Sequence, residues 1–130
     1  MYKERTSNIE VMVIPAYLED QSEPGEAYYA WAYFVRIRNV GAETVQLLNR
    51  HWEITDSNGV IQEVDGPGVI GQQPTLGPGE TFEYASGTFL RTPSGIMGGT
   101  YEMMNEDGRH FNVVIPTFSL DSPEQLQRPN

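Results

Sequence analysis

Residues 29–38 read Tyr-Ala-Trp-Ala-Tyr-Phe-Val-Arg-Ile-Arg, and this stretch decides the fold class. A large apolar residue stands at every second position, which is the period of a β-strand, whose successive side chains point to opposite faces. The first half is apolar on both faces, whereas the second half carries Arg36 and Arg38 on one of them. The stretch therefore predicts a long strand that runs through the middle of a sheet and emerges at one end.

The same alternation recurs on both sides of this stretch, between short clusters rich in glycine, proline and asparagine. Asp56-Ser-Asn-Gly59 predicts a tight hairpin, because Asn-Gly tolerates the positive φ of such turns. The other predicted strands are Ile9 to Val13, ended by Pro15; Leu48 to Ile54, with Leu48, Arg50 and Trp52 on one face; Val60 to Val64; Phe82 to Leu90; Met97 to Asn105; and His110 to Ile115, interrupted by Pro116 before Phe118 and Leu120. Seven or eight strands and no helical period predict an all-β, antiparallel two-sheet sandwich, with a closed barrel as the alternative.

The length of 130 residues fits one domain with one hydrophobic core. We expect a single domain over residues 1–130, with a structured core at about 9–120 and a polar tail at 121–130. Cysteine is absent, so disulfides, thiolate metal sites and cysteine nucleophiles are excluded.

The formal net charge is −10, with eight basic residues against eighteen acidic ones. A nucleic-acid-binding domain needs a basic face, so we predict no nucleic-acid partner. The first residues lack the apolar segment of a signal peptide, and the longest apolar run, Ala27 to Val35, is far shorter than the ~20 residues of a membrane helix. We therefore predict a soluble, cytoplasmic protein without membrane insertion.

A glycine motif, Gly66-x-Gly68-x-x-Gly71, has the spacing of a dinucleotide-binding loop. Such a loop needs a helix after it, so that the amides of the helix N-terminus meet the pyrophosphate. Here the next residues are Gln-Gln-Pro-Thr-Leu-Gly-Pro-Gly, which cannot form a helix, and no Gly-Lys-Ser/Thr follows. A Rossmann site and a Walker loop are therefore excluded.

Two interpretations of the glycine motif remain. Successive amides in a glycine loop can bind an anion without a helix, and such a site would need Arg50 or Arg91 nearby to offset Glu63 and Asp65. The simpler interpretation is an ordered connection between strands that uses glycine for positive φ or close packing. The sequence favours loop geometry and keeps anion binding at Gly66, Gly68, Gly71, Arg50 and Arg91 as the second possibility.

Residues for metal or catalytic chemistry are scarce. His51 and His110 lie far apart in sequence, and neither has a second histidine two or four positions away. Ser86 and Ser94 lack a Gly-x-Ser-x-Gly elbow. We predict no catalytic site, no cofactor and no dedicated metal site, with only weak association of divalent cations at surface carboxylates.

Aromatic residues are concentrated in two neighbouring predicted strands. Trp31, Tyr33 and Trp52 are predicted to lie in the core, because sandwiches bury aromatic residues on central strands. Tyr28 and Phe34 exceed what the core needs, and they are the candidate residues of an interface with a protein partner or a second copy of the chain.

Four stretches together resemble the ApaG family. They are the run from Gly66 to Met103, Phe34-Val-Arg-Ile-Arg-Asn, Arg50-His-Trp-Glu-Ile-Thr-Asp-Ser-Asn-Gly and Val114-Ile-Pro-Thr-Phe-Ser-Leu. The resemblance extends from about Ile9 to Leu120 and includes the family's glycine motif at Gly66, Gly68 and Gly71. It implies a fibronectin type III or immunoglobulin-like β-sandwich.

The resemblance implies less about chemistry. Bacterial ApaG members are labelled cobalt/magnesium efflux proteins because their gene is linked to cobalt resistance, and related domains of F-box proteins and a polymerase-delta-interacting protein look like interaction modules. A soluble single domain cannot itself transport an ion, so any such role is indirect. We expect a non-catalytic interaction module. The alternative is a small-ligand sensor that binds a pyrophosphate-containing nucleotide, Co²⁺ or Mg²⁺ near the glycine motif.

Overall fold

The computed structural model describes residues 1–123, which form nine β-strands. Two short 3₁₀ helices, Glu19–Gln21 and Pro24–Glu26, follow the second strand. No helix in this part of the chain is long and apolar enough to cross a membrane. The strands are β1 Tyr2–Thr6, β2 Ile9–Tyr17, β3 Tyr29–Asn39, β4 Val45–Asp56, β5 Ile61–Pro67, β6 Thr75–Leu76, β7 Thr81–Leu90, β8 Ser94–Asn105 and β9 His110–Asp121.

The strands form two antiparallel sheets. Sheet I has the order β1-β2-β3-β7, and sheet II has the order β5-β4-β8-β9, with β6 paired to the start of β4. On one side of the molecule β9 packs against β1 and β2, and the N–H of Val114 donates to Thr6 Oγ1 at 3.2 Å. On the other side β5 and β7 are edge strands. The prediction of an all-β two-sheet sandwich is confirmed, with nine strands in place of seven or eight.

Aromatic side chains from both inner faces meet between the sheets. The rings of Trp52 in sheet II and Tyr33 in sheet I have centroids 5.2 Å apart, and Phe118 packs against both. Trp31, Tyr33 and Trp52 are all buried, as the sequence predicted. Burial of one such side chain stabilises a fold by about 2 kcal/mol, so this group is a main contributor to the stability of the sandwich.

Two prolines that were predicted to end strands lie inside them. β2 continues through Pro15 to Tyr17, and β9 continues through Pro116 to Asp121. β1 reaches only as far as Val13, so Pro15 lies where β2 has become an edge strand that needs no donor on that side. Pro116 lies where the register between β8 and β9 shifts, and such an irregularity also removes the need for an N–H.

A bulge in β4 changes which leucine faces the core. The register with β8 shifts between Leu47 and Asn49, so Leu47 and Trp52 both point inward although their positions differ in parity. Leu48, which was predicted to share the face of Trp52, is only half-buried. The Leu48 carbonyl accepts hydrogen bonds from the N–H of Gly68 at 2.8 Å and from Gln73 Nε2 at 2.9 Å. The bulge therefore anchors the loop that carries the glycine motif.

Two strands had no clear signal in the sequence. β1 reads Tyr-Lys-Glu-Arg-Thr and lacks apolar alternation, and β6 is only two residues long. At the other end of the chain Asp121 still belongs to β9 and Ser122 is buried. The rest of the predicted polar tail, residues 124–130, lies outside the described residues.

Candidate functional site

The glycine motif forms the end of β5 and a tight turn. Val69 and Gln72 form an antiparallel bridge around Ile70 and Gly71, whose φ angles are +43° and +77°. Two successive left-handed residues are typical of a type I′ turn, and glycine adopts them at least cost. Gly68 also has a positive φ, of +61°, and a Cβ there would overlap the carbonyl of Gln72. The geometry of the turn accounts for Gly68 and Gly71.

Arg50 binds this loop through its carbonyl groups. Its Nη1 donates to the carbonyls of Pro67 at 3.0 Å and Gly68 at 2.9 Å, and its guanidinium covers Gly66, where a Cβ would lie 2.9 Å away. The N–H groups of Gly68 and Val69 bond the carbonyls of Leu48 and Gln72. Two of the loop amides are thus paired with backbone carbonyls, and Nη1 of Arg50 is bonded to the carbonyls of the loop.

Arg91, the other arginine of the candidate anion site, lies elsewhere. Its guanidinium carbon is 5.8 Å from the ring centroid of Tyr28 and 5.4 Å from that of Phe89, on sheet I. The structure therefore brings Arg50 to the glycines and places Arg91 beside Tyr28, one of the two candidate interface residues.

The outer face of sheet II carries histidines and carboxylates, and we call it the histidine–carboxylate face. An open depression of about 480 Å³ lies on it beside Gly66, and its lining includes Asn49, His51, Asp65, Thr100, Glu102 and Asn112. His110 Nδ1 lies 2.9 Å from Glu102 Oε2, and Asn49 Nδ2 donates to Glu102 Oε1 at 2.6 Å. The hydrogen bonds from His110 and then from Asn49 lower the pKa of Glu102.

His51 is the centre of a second group of ligand atoms on this face. Its Nδ1 lies 2.5 Å from Asp65 Oδ1, and its Nε2 lies 3.8 Å from Glu63 Oε1. The hydrogen bond to Asp65 raises the pKa of His51. Desolvation, the next largest effect, lowers this pKa, and the negative charges of Asp65, Glu63 and Glu53 raise it further. One nitrogen or oxygen atom from each of His51, Glu53 and Glu63 lies within 4.8 Å of the others. This group can hold a cation.

Pairing between β4 and β5 assembles this group. His51 lies opposite Asp65, and Glu53 lies opposite Glu63. The sequence search for a second histidine near His51 missed it, because the partners are carboxylates on the neighbouring strand. The signal was present as His-x-Glu before the Asn58-Gly59 turn and Glu-x-Asp after it.

The outer face of sheet I is apolar, and we call it the apolar face. Its residues, in rows across β2, β3 and β7, are Ile14, Phe34 and Ala85; Ala16, Ala32 and Gly87; and Ala30 and Phe89, with Tyr28 at the end. Phe89 is 43% exposed and Ile14 is 42% exposed, while Phe34 and Tyr28 are half-buried. Tyr28 and Phe89 stack with centroids 5.1 Å apart at an interplanar angle of 23°. Both candidate interface residues therefore belong to this face.

Three tyrosines meet in the interior near Arg50. The hydroxyls of Tyr84 and Tyr101 lie 2.5 Å apart, and Tyr33 lies in the same region. Burial raises the pKa of all three, and the positive charge of Arg50 opposes this only in part. These hydroxyls stay neutral and bond one another or Ser86, which is how a sandwich satisfies buried polar groups.

Known proteins share this sequence and fold over nearly the whole chain. The ApaG domain model matches residues 19–105. Protein ApaG of Paramagnetospirillum magneticum is 61% identical over 130 residues, and protein ApaG of Rhodospirillum centenum is 58% identical over 130 residues; each match covers all of both chains.

Solved structures agree with the sequence comparison. The crystal structure of a Bordetella pertussis protein described as ApaA is 50% identical, covers 88% of this chain and 94% of its own, and superposes with a TM-score of 0.86. A second X-ray structure is 45% identical, covers 95% of this chain and 93% of its own, and has a TM-score of 0.85. With the glycine turn, the sandwich and full-length relatives in agreement, this chain belongs to the ApaG domain family.

Proposed function

We propose that this chain is a non-catalytic protein-interaction module, which binds a cytoplasmic partner through its apolar face and acts on Co²⁺/Mg²⁺ homeostasis only through that partner. The observation that carries the proposal is the stack of the half-buried Tyr28 on the exposed Phe89, with Arg91 over both rings. Aromatic residues and arginine are enriched in protein interfaces and dominate their binding energy. The link to metal homeostasis rests on the family resemblance.

The surface shape of the apolar face supports binding of an extended peptide segment. Ala16, Ala32 and Gly87 form a row of small residues, so a bound chain can approach the backbone of the sheet. Beside it, a depression of about 250 Å³ is lined in part by Tyr28, Phe89 and Gly87. A depression of this size accepts one apolar side chain of a partner.

Charge defines the chemistry of the partner further. Beyond the apolar rows, the same face of sheet I carries Lys3, Arg5, Arg36 and Arg38, and Arg91 lies at the opposite end. The two carboxylates among them, Glu10 and Glu83, pair with Lys3 at 3.5 Å and Arg36 at 3.1 Å. The face is therefore basic in a chain of net charge −10. We propose a partner segment with apolar side chains followed by acidic ones.

Photo-crosslinking from the two outer faces tests this proposal. A benzophenone amino acid replaces Phe89 on the apolar face or, as the matched control, Thr100 on the histidine–carboxylate face, in cells that express the chain at its natural level. We expect one partner protein from position 89 only, joined through an apolar and acidic segment. Crosslinks from position 100 alone, or at position 89 only to a second copy of the chain, would overturn the proposal.

A ligand sensor is the second candidate, favoured by the depression beside Gly66 and Arg50. In this role a pyrophosphate-containing nucleotide binds near the loop beside Arg50, whose Nη1 bonds the carbonyls of Pro67 and Gly68. Titration with ATP and with diadenosine tetraphosphate tests it through the amide chemical shifts of Gly66, Gly68 and Gly71. Shifts that do not saturate below millimolar concentration would end this candidate.

A further inference from the structure

We propose that His51, Glu53 and Glu63 form a binding site for a divalent transition-metal ion on the histidine–carboxylate face. The site lies on the outer face of sheet II, whereas the apolar face belongs to sheet I, so the inference does not rest on the interaction role. Its ligands are one imidazole nitrogen and two carboxylates, supplied by two adjacent strands.

The distances between the ligand atoms are close to those of a coordinated ion. Bonds of about 2.0–2.1 Å from a tetrahedral metal to nitrogen or oxygen place the ligand atoms about 3.3 Å apart. His51 Nε2 and Glu63 Oε1 are 3.8 Å apart, and all three ligand atoms lie within 4.8 Å of one another. Glu53 and Glu63 are exposed, so rotation of their side chains closes the difference without movement of the strands. Solvent completes the coordination.

Asp65 gives His51 the orientation of a metal ligand. A histidine that binds a metal through one ring nitrogen commonly donates the other N–H to a carboxylate, which fixes the tautomer and the ring. Here Nδ1 lies 2.5 Å from Asp65 Oδ1, and Nε2, on the other side of the ring, lies 3.8 Å from Glu63 Oε1. With its proton on Nδ1, the ring offers Nε2 to a metal ion. A nitrogen lone pair and a carboxylate oxygen repel each other unless a cation or a proton lies between them.

The excess of negative charge around the site also favours binding of a cation. Glu53 and Glu63 lie directly opposite each other on paired strands, an arrangement that destabilises a sheet when both are charged. In residues 1–123 no lysine or arginine forms an ion pair with Glu53, Glu63 or Asp65. Arg50, the nearest arginine in sequence, instead bonds the carbonyls of Pro67 and Gly68.

The ligand types select the class of ion. An imidazole nitrogen with carboxylate oxygens suits first-row transition metals and Zn²⁺, whereas Mg²⁺ prefers oxygen ligands only and retains its water molecules. We therefore expect Zn²⁺ to bind at one site per chain and an excess of Mg²⁺ not to displace it.

Calorimetric titration of the full chain with Zn²⁺ tests the site. We expect His51→Gln, Glu53→Gln and Glu63→Gln each to weaken Zn²⁺ binding by at least tenfold, and Asp65→Asn to weaken it about tenfold through loss of ring orientation. His110→Gln is the matched control, because His110 also lies beside a carboxylate on this face, Glu102, but belongs to no group of three ligand atoms within residues 1–123. It should leave binding unchanged. Thermal melts verify that each variant is folded.

The ring resonances of His51 give a second readout that depends on the site and not on stability. Zn²⁺ should shift them in a saturable manner while those of His110 remain in place. The proposal is overturned if no binding saturates below 1 mM Zn²⁺, if His110→Gln weakens binding as much as His51→Gln, or if Glu53→Gln and Glu63→Gln bind as the unchanged chain does.

Discussion

The two outer faces of the sandwich have similar backbones and opposite chemistry. Each is built on long antiparallel strands whose inner side chains pack into one core. The outer side chains of sheet I are mostly apolar or basic, while those of sheet II include His51, His110 and the carboxylates around them. The fold constrains the inner residues, so the outer ones are free to differ. The two proposed binding surfaces therefore lie outside the core, on opposite faces of the sandwich.

The largest expected difference is in the free energy of unfolding when a glycine of each sheet is replaced by alanine. A Cβ at Gly99 of sheet II would overlap the carbonyl of His51, whereas a Cβ at Gly87 of sheet I would lie 3.1 Å from the carbonyl of Trp31. We expect Gly99→Ala to lower the free energy of unfolding by about 3 kcal/mol and Gly87→Ala by about 1 kcal/mol or less. Urea denaturation measures both free energies of unfolding. Equal losses would contradict the closer approach of the β4 backbone to Gly99.

Zinc should stabilise the chain through one face only. At a free Zn²⁺ concentration of about 100 times Kd, binding to the folded state raises the free energy of unfolding by about 2.7 kcal/mol. EDTA should reverse the effect, and Glu63→Gln, which weakens binding at least tenfold, should reduce it to about 1.4 kcal/mol or less at the same Zn²⁺ concentration. Phe89→Ala, on the opposite face, serves as the control and should leave the zinc-dependent shift in Tm intact. A zinc-dependent shift that Glu63→Gln retains in full would show that zinc binds elsewhere.

Binding of the partner should depend on the apolar face by a somewhat smaller amount. We expect Phe89→Ala to weaken binding by about 2 kcal/mol, or roughly thirtyfold, as for a central aromatic residue of an interface. Ile96→Ala is a matched control, because Ile96 is 49% exposed on the outer face of sheet II. Calorimetry with the purified partner separates the two variants. Similar affinities for both would remove Phe89 from the interface.

The smallest expected effects are on the free energy of unfolding, when one carboxylate on each face is replaced in the presence of EDTA. Glu53→Gln removes repulsion across the strands from Glu63 and should stabilise the chain by about 0.5 kcal/mol. Glu83→Gln removes an exposed ion pair with Arg36 and should destabilise it by about 0.5 kcal/mol or less. Urea denaturation at low salt resolves the opposite signs. A loss of stability in Glu53→Gln would contradict the charge imbalance at the site.

Sequence periodicity predicted the sandwich because most strands bury one side chain in two. It failed where the backbone departs from that period, as at Leu48, where a bulge moves Leu47 to the inner face. It also failed at Pro15 and Pro116, since the cost of a missing N–H depends on whether a neighbouring strand is present to accept it. These are properties of the pairing, which a single strand does not reveal.

The candidate sites were predictable to different degrees. Tyr28 and Phe34 were selected because they were aromatic residues not assigned to the predicted core. The structure places both on the apolar face. The grouping of Arg91 with the glycines rested on composition alone, and the structure places it beside Tyr28. The observed loop between Asp56 and Val60 has three residues, and extending its register pairs Glu53 with Glu63 and His51 with Asp65. A two-residue turn at Asn58-Gly59 would have shifted this pairing by one residue. The proposed metal ligands therefore could have been grouped from the sequence only if the length of this loop had been known.

The most direct test of the protein-interaction role is a map of the surface that the partner covers. Amide chemical shifts of the labelled chain are recorded with and without the purified, unlabelled partner. We expect changes at Ala16, Ala32, Gly87 and Phe89, which lie on β2, β3 and β7. We expect none at Thr100 and Glu102 on the opposite face. Changes confined to Thr100 and Glu102, with the apolar face unaltered, would contradict the proposed role.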